Sequence, residues 1–557
     1  MVVRTKIQSE RLRLRPKQGR GRVQSPSGGL NILASTMDFP IGDAYVLDNV
    51  IAKPNGCEIR RGYQEWIPLA NKFSGAVNTL LPYFAEKATN SELFAAPAEN
   101  PSKLYKITTQ NAAPTLSLTP STNSDSPGEW YFTNFVTVGG NFLLAVSAGA
   151  GYYTFTSPAG VDAWTERTNG AGVGLIQWPA GDTHTTKDIV FVWIWKNRVW
   201  FLIKDSATAY YLPVGQIAGQ LSAFDFGQQF DMGGALTWAA SWTYDSGAGI
   251  DDSLILASTE GQILIYEGTD PDSAEAFKLK GRWSAGKFPF SRRAFADHGG
   301  DVLFVSEYGL ISVADLVSGR LHTAGLTGGV GTKINPLIAA LVHTDGVTPY
   351  WHLTVFPHEE MLFLGTPVVT SGGDRLTFSM NSLINTWNTF SKMDTKCSVA
   401  YERKFIYGDN NGMVYQAFTG YRDNVSSDGT TPGDQIIGRI QGAFQDYGDA
   451  SSNKRMLRIK VYGFSDLAPA FYARFQPEYN LTSPILPPVL TQVTGGKWDT
   501  ALWDVNVWTL GPGDGSFHRW FGVTGFGKKL SLQLAISGAG QTLYTDHEAV
   551  FETGIGL

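Results

Sequence analysis

Along this chain the apolar residues fall in short runs that come in pairs, and no long stretch repeats at the roughly 3.6-residue period of a helix face. Residues 252–268, DSLILASTEGQILIYEG, show the unit: LILA and ILIY joined by Ser258-Thr259-Glu260-Gly261-Gln262. The runs hold residues that favour strands, and Gly261 supplies a backbone angle that other residues resist, so the unit reads as strand, turn, strand. Nearly continuous apolar runs, in place of alternation, predict strands covered on both faces. The same grammar recurs from residues 92 (ELFAAPAENPSKLYKI), 141 (NFLLAVSAGAGYYTF), 197 (NRVWFLIKDSATAYYLPV), 301 (DVLFVSEYGLISVADL) and 404 (KFIYGDNNGMVYQAF), and more weakly from 361, with starts 43 to 60 residues apart. Units of several short strands at that period predict the blades of a β-propeller, six or seven of them between about 75 and 430. No fixed dipeptide marks each unit, so the repetition is one of pattern and not of text.

From about residue 435 the pattern changes. QIIGRIQGAFQDYG, RMLRIKVYGF and HRWFGVTGFGKKLSLQLAI include stretches that alternate apolar with polar positions, as half-exposed antiparallel strands do, and predict a β-sandwich or barrel-like domain. Trp498, Trp503 and Trp508 join Asp499 and Asp504 there in a W-D-x-x-x-W-D array, read as core or subunit interface in preference to a sugar-stacking platform. The expected fold is all-β: a six- or seven-bladed propeller with an additional sandwich or barrel-like platform formed by N- and C-terminal segments. Its expected parts are an arm (1–24), a docking segment (25–74), the propeller (75–434) and a C-terminal domain (435–557).

Composition agrees with a large β protein, since 557 residues bury a sizeable core and 62 Gly with 27 Pro make turns frequent. Cys57 and Cys397 are too few and too far apart for a disulfide framework or a zinc cluster, and both are expected to be buried thiols. No run approaches the ~20 apolar residues of a membrane span, and the start lacks the apolar core of a signal peptide, so a soluble, cytosol-made chain is expected.

Charge is unevenly placed. The first 22 residues hold eight Arg or Lys, among them Arg11, Arg13 and Arg15, against Glu10 alone; with the whole chain at −6, the remainder carries −13. Such an arm either grips an acidic surface or nucleic acid, or is a solvated tail. The body offers no basic stripe with interleaved aromatics, which argues against sequence-specific nucleic-acid recognition.

Residues 25–63, SPSGGLNILASTMDFPIGDAYVLDNVIAKPNGCEIRRGY, are neither blade nor ordinary linker. Gly28-Gly29 permits close backbone approach, Ala44, Leu47 and Val50 fit one face of a short helical turn, and Asn55-Gly56 favours a tight hairpin. The order of these landmarks (GGL, Pro40, the AYVLDN that ends at Asn49, and the exit through Arg60, Arg61 and Gly62) resembles the N-terminal signature of short-tailed bacteriophage tail and head-completion proteins. The Trp-Asp array and the closing VFETGIG resemble the far end of the same proteins. The family so indicated is the podovirus tail nozzle, also called tail tubular or packaged-DNA stabilisation protein, and the resemblance covers the two ends of the chain directly. It implies a homo-oligomeric ring, usually of six copies, below the phage adaptor or head-to-tail connector ring. Tail fibre or spike proteins would be neighbours, DNA would pass the channel without sequence specificity during genome ejection, and no catalytic residues or cofactors come with it. Docking or assembly is expected of Arg11, Arg13, Arg15, Gly28, Gly29, Asn49, Arg60, Arg61, Trp503 and Trp508.

Two other classes stay open: a receptor- or glycan-binding tail protein, and a propeller glycoside hydrolase. For the hydrolase, TYDSGAGI at 243–250 resembles an Asp-box but places Ile250 where an aromatic belongs, and NSDSPGEW at 123–130 has one residue too many between Asp125 and Gly128. Arg282, Arg292 and Arg293 are plentiful arginines without the spacing of a carboxylate-binding triad. His352, His358, Glu359 and Glu360 are interrupted by Pro357 and match no helical zinc motif, and GLTGGVG at 325–331 lacks the Lys-Ser/Thr of a phosphate loop.

Overall fold

A computed structural model describes residues 17–243, 252–273, 275–319, 329–370, 373–466, 469–481, 516–538 and 540–553. Each of the seven apolar pairs found in the sequence is a hairpin, and each hairpin supplies the second and third strands of an antiparallel meander. Ser253–Ser258 pairs with Gln262–Gly268 through Leu254 with Tyr266, Ile255 with Ile265 and Leu256 with Leu264. Gly261 turns the chain at φ +84°, where a Cβ would lie 2.4 Å from the Gly286 carbonyl oxygen. Every residue of Ser253–Ser258 is buried, which is why the run is apolar without alternation: a blade is covered on both sides by its neighbours.

The meanders form a closed ring. Each touches the next through its first or second strand, and Cys397–Tyr401 of the last lies against Val77–Tyr83 of the first. Six of the meanders are blades with a sheet of their own; the seventh, His352–Phe356, Met361–Val369, Arg375–Asn381 and Thr386–Phe390, fills the remaining sector and runs on into the platform as one eight-stranded sheet. The ring is locked by Tyr63–Glu65, the outer strand of the last blade on Val414–Ala417, so the propeller begins ahead of the expected boundary at 75. One blade, Phe295–His298, Asp301–Ser306 and Gly309–Ser312, has three strands and is followed by the helices Val313–Val317 and Asn335–Asp345. The second helix was not expected, although Ile334, Ile338 and Val342 bury one face of it at a four-residue spacing.

The platform is a sandwich built from both ends of the chain. One sheet runs Val50–Lys53, Gly56–Ile59, Thr542–Thr553, Lys454–Ser465 and Ser516–Gly522, with Lys17–Gln24 along the remaining edge of Thr542–Thr553. The facing layer is the outward half of the eight-stranded sheet: Ala44–Asp48 beside Thr386–Phe390, then Ile437–Gly442, Leu530–Ser537 and Ala470–Pro477. Leu47, Val50, Ile459, Leu534, Ile536 and Phe551 share one apolar cluster with Leu362, Leu364 and Phe378 of the adjoining blade, so the core is continuous from platform to propeller.

Three local expectations change. Ala44, Leu47 and Val50 lie on strands, not a helical turn; Asn49, at φ +56°, separates Ala44–Asp48 from Val50–Lys53. The hairpin at Asn55-Gly56 is present, with Lys53 opposite Gly56. Lys17–Gln24, expected in a free arm, is an edge strand paired over its whole length with residues 546–553.

Candidate functional site

The expected docking residues Asn49 and Arg60 meet at the seam between platform and propeller. Arg60, 2% exposed, donates to both carboxylate oxygens of Asp423 at 2.7 Å, to the Ser391 carbonyl at 3.1 Å and, through Nε, to Asn49 Oδ1 at 2.8 Å. The positive φ of Asn49 turns its amide back into the seam, where Nδ2 donates to Ser391 Oγ at 2.8 Å. Burial works against the Arg60 charge, but the paired Asp423 carboxylate outweighs it and holds the guanidinium above its ordinary pKa. Asp48 completes the seam by accepting from Arg439 and from the Ser391 hydroxyl, each at 2.8 Å. Arg61, next in sequence, points outward instead and donates to Glu359 at 3.2 Å on the surface.

The glycine pair does what its lack of a side chain allows. At Gly29, φ +81°, a Cβ would sit 2.8 Å from Thr386 Cβ and 3.0 Å from the Trp387 nitrogen; at Gly28 it would sit 2.0 Å from Asp43 Oδ1. The segment therefore lies directly on the outer strand of the shared blade, where Leu30 N–H donates to the Trp387 carbonyl at 2.7 Å. Lys333, leading into the helix, clamps it by donating to Gly28 O at 2.7 Å and to Asp43 at 2.8 Å. These two glycines and Asn49 and Arg60 fix the platform to the ring. Arg11, Arg13, Arg15, Trp503 and Trp508 lie outside the described residues.

A basic and aromatic surface that no contiguous stretch announces lies on the outer face of the first platform sheet. Cross-strand register places Arg22 beside Glu548, Glu548 beside Lys460 and Lys460 beside Trp520; the next row runs Arg20, Val550, Arg458 and Gly522. Arg20 and Arg22 have side chains 68% and 67% exposed. Arg458 stands 4.7 Å over the Trp520 ring, Arg22 5.1 Å and Lys460 5.0 Å over Tyr462. Phe464 and Phe526 are exposed near the ends of the same sheet. Asp546 takes two hydrogen bonds from Arg22, at 2.7 and 3.0 Å, and raises its pKa; Arg455 and Arg458 form no ion pair with a carboxylate among the described residues. The expectation that the body has no basic stripe with interleaved aromatics is thus corrected: pairing between strands more than 400 residues apart assembles one.

Of the residues weighed for other chemistry, Arg292, Arg293 and His352 line one cavity in the ring, and the others are scattered. Asp125 pairs with Lys204 of the next blade at 2.7 Å, and Thr243 bonds Asp252, while 244–250 lie outside the described residues. His352 is buried in the ring, whereas His358 sits in a short surface turn, Pro357–Glu359. Cys57 and Cys397 are buried free thiols, and burial pushes their pKa up to about 12 and about 11, away from the reactive thiolate. No helix is long and apolar enough to cross a membrane among the described residues.

No protein-family model and no curated protein matches the chain. Among solved structures it is similar to Sqt1 of Saccharomyces cerevisiae, at 11% identity and TM-score 0.37, covering 64% of this chain and 99% of that one. It is also similar to YCF48 bound to D1 peptide, at 9% identity and TM-score 0.35, covering 68% and 99% respectively. With likenesses this distant, the fold assignment rests on the sheet topology itself: an all-β chain whose blades close into a propeller.

Proposed function

We propose that the chain is a structural virion protein, the nozzle subunit of a short phage tail, whose copies form a ring that retains and then conducts the DNA genome. The observation that carries this reading is the platform. Residues 25–63, whose order of landmarks resembles the nozzle family, and residues 550–553, the described start of the closing VFETGIG, lie at opposite ends of the chain, yet they meet in one sandwich with a core continuous with the propeller. Such a body has the rigidity a ring subunit needs, and its basic and aromatic outer face suits an acidic surface on an adaptor ring. The propeller has no catalytic role in this proposal, and tail fibres or spikes would attach elsewhere on the ring.

Negative-stain imaging of the purified protein, alone and with its tail components, tests the reading. Rings with an axial channel, six-fold by analogy, are expected. Trimeric spikes would replace the nozzle with a receptor-binding protein, and a monomer that turns over glycosides would replace it with a hydrolase.

A further inference from the structure

The axis of the propeller holds a cavity of about 230 Å³ whose wall comes from the first strands of six meanders or the residues just before them. Its charge is one-sided. Arg292 and Arg293 both line it, no Asp or Glu does, and neither arginine forms an ion pair with a carboxylate among the described residues. Arg293 spends its donors on neutral groups across the axis: the Asn78 carbonyl at 2.8 Å, Thr79 Oγ1 at 2.6 Å and the Trp130 carbonyl at 3.2 Å. Arg292 lies 5.8 Å from the Tyr131 ring centroid, and its Nε is buried without a hydrogen-bond partner. Uncompensated cations in a low-dielectric interior are costly, so such a wall favours an anion.

Two more orphaned polar atoms belong to residues that line the cavity. Trp130 Nε1 is a buried donor and His352 Nε2 a buried ring nitrogen, each without a partner. His352 Nδ1 lies 3.0 Å from the Tyr350 carbonyl, which can only accept, so the neutral ring carries its proton on Nδ1 and leaves Nε2 as an acceptor. Burial, with the positive charges of Arg293 and Arg375, pushes the His352 pKa down to about 4 against the opposing Tyr350 bond, so the ring is neutral at pH 7. The fold makes room for this ring: Gly365 stands opposite on the next strand, and a Cβ there would lie 2.0 Å from His352 Cε1. The residues of the wall therefore carry guanidinium and indole donors together with one acceptor.

We propose that the axial cavity binds a small oxyanion that still carries a proton, of the inorganic phosphate class, its charged oxygens accepting from Arg292 and Trp130 and its O–H donating to His352 Nε2. Hydrogen phosphate meets both requirements, whereas sulfate at neutral pH offers the charge and shape without the proton. The site is independent of the nozzle reading, since it lies within one subunit.

Titration of the full chain with inorganic phosphate at fixed ionic strength, followed by the ³¹P line and by melting temperature, tests it. Saturable broadening is expected, with a melting temperature that rises with phosphate concentration as mass action requires. Sulfate, followed by melting temperature and by competition for the ³¹P signal, is expected to bind at least roughly tenfold more weakly, because it leaves the histidine nitrogen unpaired. Arg292→Gln, which removes a group held only by a ring contact, is expected to keep the wild-type circular dichroism and to weaken phosphate binding about tenfold or more. Phosphate that fails to saturate, or that binds Arg292→Gln as it binds wild type, overturns the site; sulfate binding as tightly as phosphate overturns the proton-donating contact.

Discussion

Arg60 and Asp423 form the most deeply buried ion pair among the described residues, with both side chains 2% exposed. Removing one partner of such a pair strands a buried charge, which costs about 3–5 kcal/mol, while replacing both by apolar groups is far milder. Asp423→Asn is therefore expected to lower the unfolding free energy by that amount, and Arg60→Met with Asp423→Leu to recover part of it, as read by urea denaturation. An Asp423→Asn protein within ~1 kcal/mol of wild type would show that the seam does not depend on the pair. His547 supplies a second test. Burial pushes its pKa down to about 4, and its Nδ1 lies 2.7 Å from the Tyr544 hydroxyl. A folded pKa below the unfolded value of about 6.5 means the unfolded chain takes up the proton first, so the contribution present above pH 6.5 is lost as the pH falls toward 4. Between pH 7 and pH 5 that loss is about 2 kcal/mol. His547→Gln should lose correspondingly less stability than wild type over the same interval; equal losses would refute the assignment.

Strand Lys17–Gln24, KQGRGRVQ, shows how much of the structure could be read in advance and where reading stopped. Its net charge is plain in the sequence and predicts an arm. Its alternation is the better signal: Gly19 and Gly21 face inward, where a Cβ would lie 2.5 Å from Phe551 Cε2 and 2.7 Å from Tyr447 Cδ1, while Arg20 and Arg22 face out. An apolar-to-polar count misses this because the inward positions are glycines and the apolar rings, Phe551 and Tyr447, come from residues more than 400 positions away. The second and third strands of every blade were legible because both faces are covered and both runs are apolar. Helix Asn335–Asp345 was obscured by the glycine-rich stretch before it, and the basic face by its division among strands far apart in sequence. The glycines make a prediction of their own. Gly21→Val has no room above Tyr447 and should cost about 1–3 kcal/mol in the platform, measured by denaturation and by new proteolytic cleavage near residues 17–24. Wild-type protection of that strand would mean the ring can move aside at no cost.

With the strand built into the platform, the charge of the molecule divides by location: a body that is acidic in sum, and a platform face where Arg20, Arg22, Arg455, Arg458 and Lys460 outnumber Asp546, Glu548 and Glu552. In a nozzle this division has two consequences. A channel that carries a polyanion should not hold it, so the lumen of the assembled ring is expected to be neutral to acidic, and a wall dominated by Lys and Arg in a ring structure would contradict that. The platform face should do the opposite and seek an acidic partner. Its cations are exposed, so their attraction is screened over ~10 Å at 0.1 M salt and fades as salt rises. The aromatic rings beneath them, Tyr462 and Trp520, bury apolar area on docking and supply a part that salt does not remove. Attachment to the adaptor ring should therefore weaken with salt but persist at high salt. Replacing Arg20, Arg22, Arg458 and Lys460 by Gln should leave the propeller folded, lower attachment at low salt and flatten its salt dependence. Trp520→Ala should lower attachment at every salt concentration by a similar factor. Co-sedimentation of ring and adaptor over a salt series separates the two, and a charge variant with wild-type attachment and wild-type salt dependence would move the docking surface away from this face.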